Sequence, residues 1–381
     1  MLACSLPLAA QYNEWNRVLG VPFLNSSGKW TKQSFERSMY SAGLQFGGSS
    51  QLRMSRSRCL VLDIAPKEIR ANYNSQDMLT AVDVVFTNKG DDGDKKNVRK
   101  LIRNTARTLE KKLTASLGNP VKCDYGHKKM QNNALKWKGS SGEIVLEYVG
   151  SEFVMLHICY PAADAGTGRQ EVKFSKKTTD ISLNIKSTLF GDIYIENIPM
   201  VDQGPKGYCV PATVERVLKY YGINNINMHQ LADAGNTGKG GGTSAKQMFN
   251  GISSACRRSG LKMVKTGSLR VSVVKKYIDQ GIPLFWFMFS HDAYEKLRRK
   301  NNRDRSRAES PEAWAKHIKK QKIPSSQDGA HVCLIIGYNE QTEEIAVSNS
   351  WGDHEIKPSW VPIRVALTAS QQGYTVVLLP R

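Results

Sequence analysis

The sequence lacks long apolar runs and any regular cysteine framework. Its longest apolar stretches, near residues 282–289 and 332–337, are much shorter than the roughly 20 residues that a membrane-spanning helix needs. We therefore expect no transmembrane segment. The seven cysteines are irregularly spaced and include no Cys-x-x-Cys pair, which argues against a disulfide framework and against a structural zinc site. An odd number of cysteines cannot all pair within one chain, which is consistent with a free reactive thiol.

The chain has fewer acidic than basic residues. The chain has 54 Lys and Arg against 34 Asp and Glu, a formal net charge of +20, and both halves share the excess. Such an imbalance favours an anionic partner, which could be an envelope polymer, a membrane surface or nucleic acid. The densest basic run, residues 298–307, contains no aromatic residue, and no specific nucleic-acid-binding signature is present. One interpretation is therefore a non-catalytic basic protein that binds anionic polymers or nucleic acid.

The first half of the chain predicts a separate α+β domain over residues 12–190. With 381 residues, 40% of them hydrophobic, the chain is long enough for two domains with their own cores. Val98, Leu101, Ile102 and Leu109 recur at helical spacing before Gly118. Together with the apolar strand patterns, they predict these elements: strands at 59–64, 81–86, 143–149 and 153–160, a helix at 97–113, and a linker at 162–187. We find no catalytic constellation in this domain.

The first residues of the chain, 1–11, are apolar and end in Leu8-Ala9-Ala10. This pattern is typical either of a disordered N-terminus or of the end of an export signal. It favours an exported or envelope-associated location over a cytoplasmic one.

The second half of the chain is organised around the stretch from Gln203 to Cys209. A glutamine stands six residues before a cysteine, with two glycines between them, and apolar residues then recur at 210, 214, 217, 218 and 221. This spacing predicts a helix that begins at the cysteine and ends at Gly222. A helix N-terminus and a nearby imidazolium both lower the pKa of a thiol, so Cys209 is a candidate nucleophile.

A base and its orienting partner follow downstream. His331 begins a predicted buried strand, and Asn349 ends a second one after a polar connection. The two strands read as an antiparallel hairpin, which would bring the two side chains together. Cys209, His331 and Asn349 are then the nucleophile, the general base and the group that fixes the base's tautomer. Cys333, on the same face of the strand as His331, is interpreted as core packing.

The motifs Gln203-Gly-x-x-Gly-x-Cys209 and Asn349-Ser-Trp-Gly, with a distant histidine between them, resemble those of papain-like cysteine peptidases. The Cys-Val-Pro-Ala-Thr opening of the helix most closely resembles the bacterial C39-like branch. The resemblance covers roughly residues 195–381. It implies a papain-like domain over residues 191–381, with the cysteine-bearing helix packed on an antiparallel sheet that bears the histidine and the asparagine.

The resemblance also implies roles for individual residues. Cys209 would be the nucleophile, His331 the acid and base, and Asn349 its orienting partner. The Gln203 side chain and the Cys209 backbone N–H would stabilise the oxyanion. Three further positions are implied to lie around the substrate, with the tryptophan also shielding the His–Asn hydrogen bond: Gly241, Gly242 and Trp351.

Two positions depart from the family pattern. Lys206 stands where many members have a disulfide-forming cysteine, and Asn349 stands where transporter-linked C39 peptidases usually have aspartate. Neither departure removes a catalytic part.

The expected function is hydrolysis of peptide bonds in a peptide or protein through an acyl-thioester, with no metal or organic cofactor. Two alternatives remain open at this point. A papain fold can pass its acyl group to an amine, which would make the protein an acyltransferase or crosslinking enzyme. The basic composition favours the other alternative, a non-catalytic binding protein for anionic polymers or nucleic acid. The basic run at 298–307 would lie at the rim of the cleft, as a steering surface or lid, or would form a solvated helix.

Overall fold

The computed structural model describes residues 15–23, 30–46, 50–53, 59–74, 76–92, 97–126, 130–139, 142–160, 179–224, 226–238 and 242–380. The chain divides into two compact units. Unit 1 comprises Met1–Glu171, Gly204–Lys206 and Gly238–Gly241, and unit 2 comprises Val172–Gln203, Gly207–Thr237 and Gly242–Arg381. Within the described ranges, no helix combines the length and the apolar character needed to cross a bilayer.

Unit 1 is an antiparallel sheet with helices packed against it. Its elements are α1 (15–19), α2 (Lys32–Ser41), β1 (Gln51–Arg53), β2 (Glu68–Tyr73), β3 (Leu79–Asn88), α3 (Lys89–Asp92), α4 (Val98–Leu117), β4 (Val121–Tyr125), β5 (Asn132–Gly139), β6 (Gly142–Val149) and β7 (Phe153–Cys159). The seven strands lie in the order β1-β2-β3-β7-β6-β5-β4. As the sequence predicts, β6 and β7 form a hairpin.

The long helix α4 covers one face of this sheet. It packs on β3, β6 and β7, and its buried side chains are Val98, Ile102, Ala106, Leu109 and Leu113. These positions follow the helical period, so burial of apolar surface holds the helix on the sheet. The helix ends one residue before Gly118, whose φ of +80° is the left-handed region that favours glycine.

The predicted strand at residues 59–64 is wrong. This segment forms a tight turn in which Leu62 and Asp63 have φ values of +53° and +58°, and an isolated bridge joins Val61 to Ile64. Val61 and Leu62 are nevertheless buried. An apolar run in a buried turn has the same composition as one in a strand, so composition alone misled the prediction. The strand in this region is β2, a few residues later.

Unit 2 contains the second antiparallel sheet. Its elements are α5 (Thr179–Ser182), β8 (Ile185–Ser187), β9 (Ile193–Ile195), α6 (Cys209–Tyr220), α7 (Met228–Ala234), α8 (Ala245–Arg258), β10 (Leu261–Lys265), α9 (Val271–Ile278), β11 (Leu284–Phe289), α10 (Asp292–Arg305), α11 (Pro311–Lys319), β12 (Ala330–Asn339), β13 (Glu344–Ser348), β14 (Ser359–Pro362), α12 (Ile363–Ala369) and β15 (Val376–Pro380). The main strand order is β10-β15-β11-β12-β13-β14, with β9 beside β12 and β8 beside β9. The predicted α+β class is confirmed.

Helix α6 lies against the central strand β12 and against α7. It begins at Cys209, residues 209–218 are all buried, and Gly222 follows its end with a φ of +78°. The Thr213 hydroxyl donates a hydrogen bond to the Val332 carbonyl at 3.2 Å. This bond fixes the first turn of the helix beside the residue that follows His331.

The predicted linker at residues 162–187 is partly structured. Residues 162–178 lie outside the described ranges, but α5 and β8 occupy most of 179–187. Ile185 to Ser187 pair with Ile193 to Ile195, and Ile181 is buried. Pairing with β9 therefore gives a strand where the polar composition predicted a loop.

Candidate active site

Cys209 is the first residue of α6, so its backbone lies at the positive end of the helix dipole. The residue is 9% exposed. Burial raises the pKa of the Cys209 thiol, and the backbone N–H groups of Val332, Val210 and Cys209 itself act in the opposite direction, in favour of the thiolate. Since Val332 is the third residue of β12 and directly follows His331, the sulfur lies close to the strand that carries the predicted base.

His331 and Asn349 meet across the β12–β13 hairpin. The Nε2 atom of His331 lies 3.0 Å from Oδ1 of Asn349. The Asn349 amide is itself oriented, because its Nδ2 donates to Oε2 of Glu355 at 3.0 Å, and a carboxylate can only accept. Oδ1 therefore faces the histidine as an acceptor, Nε2 carries the proton, and Nδ1 is the basic nitrogen of His331.

Glu355 belongs to a buried ion pair that the sequence analysis missed. It ends a short 3-10 helix, Asp353–Glu355, and both of its oxygens accept hydrogen bonds from Arg298, at 2.8 and 3.1 Å. Arg298 also bonds Glu295, one turn earlier in α10. Burial alone would raise the pKa of Glu355, but Arg298 holds that pKa below its usual value. A negative charge is thus kept behind Asn349.

Trp351 lies against the imidazole. Its ring centroid is 4.6 Å from that of His331, and the two planes are inclined by 31°. An indole in this position covers one face of His331 next to its bond with Asn349. The shielding role that the resemblance implies for Trp351 stays a prediction.

Gln203 is held in place by the segment that follows Asn349. Its backbone N–H donates to the Ser350 carbonyl at 2.9 Å, and the Ser350 hydroxyl donates to its Oε1 at 2.7 Å. Because the amide oxygen accepts from Ser350, the orientation of the amide is set, with its nitrogen on the opposite side. The loop before Cys209 is thereby tied to the segment after Asn349.

Of the two glycines predicted to contact substrate, one can be placed. Gly242 donates its backbone N–H to the Gly207 carbonyl at 2.9 Å, so it lies beside the loop that leads to Cys209. Its φ is +84°, and a Cβ built on it would meet no atom of the described residues within 4 Å. Gly241 lies outside the described residues.

Burial dominates the proton affinities of Cys209 and His331. It raises the pKa of the Cys209 thiol, against the opposing effect of the backbone amides. It lowers the pKa of His331 to about 4, although Asn349 and Glu355 act in the opposite direction. The pair is therefore a neutral thiol and a neutral imidazole near pH 7. This differs from the thiolate and imidazolium that the helix N-terminus alone predicts.

A second buried arginine connects the cysteine helix to Asn349. Arg216, two turns into α6, donates to the carbonyls of Ser348 and Asn349 at 3.1 and 2.8 Å. It also donates to the Ser348 hydroxyl at 2.7 Å and to the Pro199 carbonyl at 3.0 Å. Burial lowers the pKa of Arg216 to about 10, so it remains charged at neutral pH. The one feature in the sequence that marks this role is a cation on a helix face that is otherwise apolar.

The basic run at 298–307 has two kinds of residue. Arg298 and Arg305 turn inward and pair with carboxylates, Arg305 with Asp192 and with Glu344. Arg299, Lys300, Arg303 and Arg307 are exposed. The run is therefore neither wholly a solvated face nor wholly a surface for substrate, because two of its cations hold the structure of unit 2 together.

Cys333 is fully buried, and its thiol lies 3.7 Å from the Met288 sulfur. Cys333 is therefore packed in the core, as predicted, and this burial raises the pKa of its thiol. Among the described residues, no group of His, Cys, Asp and Glu side chains has an arrangement that could hold a metal ion.

Comparison with known proteins supports the resemblance. Residues 195–368 match the model of the Peptidase_C39 like family, and this range contains Gln203, Cys209, His331 and Asn349. The C-terminal region is C39-like. The match covers somewhat less than half of the chain, so it describes this region and leaves most of unit 1 outside. A C39-like region indicates a cysteine peptidase, a hydrolase that acts on peptides.

One matching solved structure is described as that of a candidate C39-like peptidase from Bacillus anthracis. It is 14% identical, with a TM-score of 0.34, and the alignment covers 50% of this chain and 98% of that chain. No curated protein matches the chain.

Proposed function

We propose that the C39-like region hydrolyses peptide bonds through a Cys209–His331–Asn349 site and an acyl-thioester intermediate. One observation carries the proposal. The Glu355 carboxylate, the Asn349 amide and the His331 imidazole form a single oriented chain of hydrogen bonds, with links of 3.0 Å each. This chain leaves a basic nitrogen on a strand whose next residue donates a hydrogen bond to the Cys209 sulfur. A base that activates a thiol needs this fixed orientation.

The reaction begins with proton transfer. His331 takes the thiol proton of Cys209 at Nδ1, and the sulfur attacks the peptide carbonyl carbon. The resulting oxyanion receives hydrogen bonds from the Cys209 backbone N–H and from the Gln203 side-chain amide. The imidazolium then gives its proton to the leaving amine, and the carbon–nitrogen bond breaks. An acyl-thioester remains on Cys209.

Water completes the cycle. His331 removes a proton from a water molecule, whose oxygen attacks the thioester carbonyl. The carbon–sulfur bond breaks, the acid product leaves, and the sulfur recovers a proton from His331. During both halves the Glu355 carboxylate stabilises the transient imidazolium through Asn349, which compensates in part for the cost of charging a buried ring.

A hydrolysis assay tests this proposal. Unstructured protein and peptide substrates are incubated with the full chain and with two variants, Cys209→Ala and Cys333→Ala. We expect Cys209→Ala to lose at least roughly a thousandfold in kcat, as removal of a nucleophile does in related triads. Cys333→Ala is the matched control, because it removes a buried thiol two residues from His331 and leaves the hydrogen-bond chain intact. Equal hydrolysis by Cys209→Ala and wild type would contradict the proposal.

Adding a primary amine to the same assay separates hydrolysis from acyl transfer, since both share the acyl-thioester. A free acid product with amine present supports the peptidase. An amide product at low amine concentration would assign the acyl group to an amine acceptor instead.

A further inference from the structure

The outer face of α4 in unit 1 carries a row of cations. Arg99, Arg103, Arg107 and Lys111 follow one another at four-residue spacing and are all exposed, with Lys100 exposed beside them. Because a helix rises 1.5 Å per residue, neighbouring cations of the row are about 6 Å apart along the axis and the row is about 18 Å long. We call these five residues the α4 basic row.

The basic row is not needed to hold the helix in place. The opposite face of α4 is buried in the core of unit 1 through Val98, Ile102 and Leu109, among others. Among the described residues, no member of the row pairs with a carboxylate, whereas the neighbouring Lys112 bonds Asp63 at 2.7 Å. The acidic residue of the helix, Glu110, is half-buried. The row therefore presents cations whose charge the described structure does not use.

A groove of about 740 Å³ lies along this face. Its lining includes the side chains of Asn97, Arg99, Lys100, Arg103, Asn104 and Arg107. Guanidinium groups and amide N–H groups match the oxygen atoms of phosphates, and arginine can bind them with two parallel hydrogen bonds. The helix contains no aromatic residue on which a base could stack. The groove therefore suits the backbone of a polyanion, without a means of recognising bases.

We propose that the α4 basic row binds the phosphodiester backbone of nucleic acid without sequence preference. The row has five cations, so it can neutralise about four to five phosphates of the backbone. A duplex is rigid and densely charged, so it releases condensed counterions on binding and loses little conformational freedom. An acidic peptide would have to be ordered on the helix, which opposes its binding. The net charge of +20 adds a long-range attraction.

Fluorescence anisotropy of a labelled duplex of about 24 base pairs with the full chain tests the proposal. We expect a Kd in the micromolar range at low salt, equal for different sequences, and a slope of log K against log salt of about −4, as four to five phosphate contacts predict. The double variant Arg103→Glu/Arg107→Glu should bind at least about tenfold more weakly and lose about two units of slope. The matched control is Lys319→Glu/Lys320→Glu on α11 and its C-cap, which changes two exposed cations of unit 2 and gives the same net charge. It should bind nearly as wild type does.

Circular dichroism and thermal unfolding verify that the variants fold, and Arg103→Gln/Arg107→Gln replaces the charge reversal if that variant does not. Three results would overturn the proposal: no binding at low salt, equal weakening by the α4 and control variants, or displacement of the duplex by polyglutamate at equal charge concentration. The second result would mean that net charge alone attracts the duplex. The third would assign the row to acidic peptides.

Discussion

The Asn349 amide is held by a charge that lies outside the three expected catalytic residues. Glu355 fixes which end of the amide faces His331, and Arg298 keeps Glu355 ionised in a buried position. The same carboxylate raises the pKa of His331 against the effect of burial. In the proposed mechanism, Glu355 is therefore a positioning residue that acts on His331 through Asn349 and through its charge.

Replacing Glu355 with glutamine tests this role. The variant removes the charge behind Asn349, so the pKa of His331 should fall further and the imidazole should become a weaker base. We expect kcat to fall by at least about tenfold with little change in KM, because the loss concerns a charge that forms in the transition state. A rate-against-pH profile measures the effect, since a purely structural role would not move its acid limb. The exposed Glu309→Gln is the control. An unchanged acid limb and kcat in Glu355→Gln would contradict the role.

At the scale of elements, α6 and β13 are joined by Arg216. Four acceptors surround the guanidinium, and one of them is the carbonyl of Asn349 itself. The helix that begins at Cys209 is thus bonded to the end of β13 and to Asn349, which follows it. Lysine has neither the planar shape nor the number of donors needed to reach all four acceptors.

We therefore expect Arg216→Lys to lower the free energy of unfolding of unit 2 by roughly 3 kcal/mol, since hydrogen bonds from a buried charge are lost. Reactivity of Cys209 should fall with it, because Asn349 is released from one of its anchors. Denaturant unfolding and thiol labelling measure the two effects. Arg270→Lys, on an exposed arginine with no described ion pair, should alter neither. A wild-type labelling rate in folded Arg216→Lys would show that the site does not depend on this link.

The elements that were predicted correctly share a strong local pattern. The period of Val98, Ile102 and Leu109 gives α4, and that of Val214, Val217 and Leu218 gives α6. The placement of His331 beside Asn349 was also predictable, because two apolar strands with a short polar connection pair as a hairpin. Gln203 and Trp351 required the family motif.

The parts that were missed depend on contacts between residues distant in the sequence. Glu355 and Arg298 are 57 residues apart, and Arg216 is 133 residues from Asn349. No local periodicity marks such a pair, and the sequence alone does not distinguish a buried arginine from an exposed one. The turn at 61–64 was missed because its apolar residues are buried without forming a strand. Burial of Cys209 also outweighs the lowering of its thiol pKa that the helix N-terminus alone predicts.

At the scale of the whole molecule, the two units carry buried histidines of opposite behaviour. In unit 1, His157 lies between Asp83 and Glu147, at 2.7 and 2.9 Å. Burial alone would lower its pKa, but the two carboxylates raise it to about 9. In unit 2, burial lowers the pKa of His331 to about 4. The first histidine is charged in the folded state at neutral pH, and the second is neutral.

Unit 1 should therefore lose stability as the pH rises, and unit 2 should lose stability as the pH falls. His157 stabilises unit 1 fully below the unfolded pKa of about 6.5, and this contribution is lost as the pH rises toward 9. His331 destabilises unit 2 as the pH falls from about 6.5 toward 4, because the unfolded chain binds the proton first. Each contribution is on the order of 3 kcal/mol.

Hydrogen exchange, resolved by peptide and corrected for intrinsic rates, measures the stability of each unit against pH. Protection of β3 and β7 should fall as the pH rises from about 6.5 to 9. Protection of β12 should fall as the pH decreases from about 6.5 toward 4. His157→Gln should remove the alkaline response of unit 1, whereas the exposed His317→Gln should leave both responses unchanged. An identical alkaline response in wild type and His157→Gln would contradict the assignment.

Activation of Cys209 by His331 can be measured by alkylation of the intact protein. An iodoacetamide or epoxysuccinyl probe is applied from about pH 4 to 9, and the labelled cysteines are located by mass spectrometry in wild type and in His331→Ala. We expect Cys209 to react faster than the more exposed Cys59 and Cys123. The labelling rate of Cys209 should have an acid limb below the ordinary histidine pKa of about 6.5, and His331→Ala should remove its advantage over the other cysteines. If Cys209 reacts no faster than those cysteines, or equally fast without His331, the site does not activate its thiol and the peptidase mechanism is wrong.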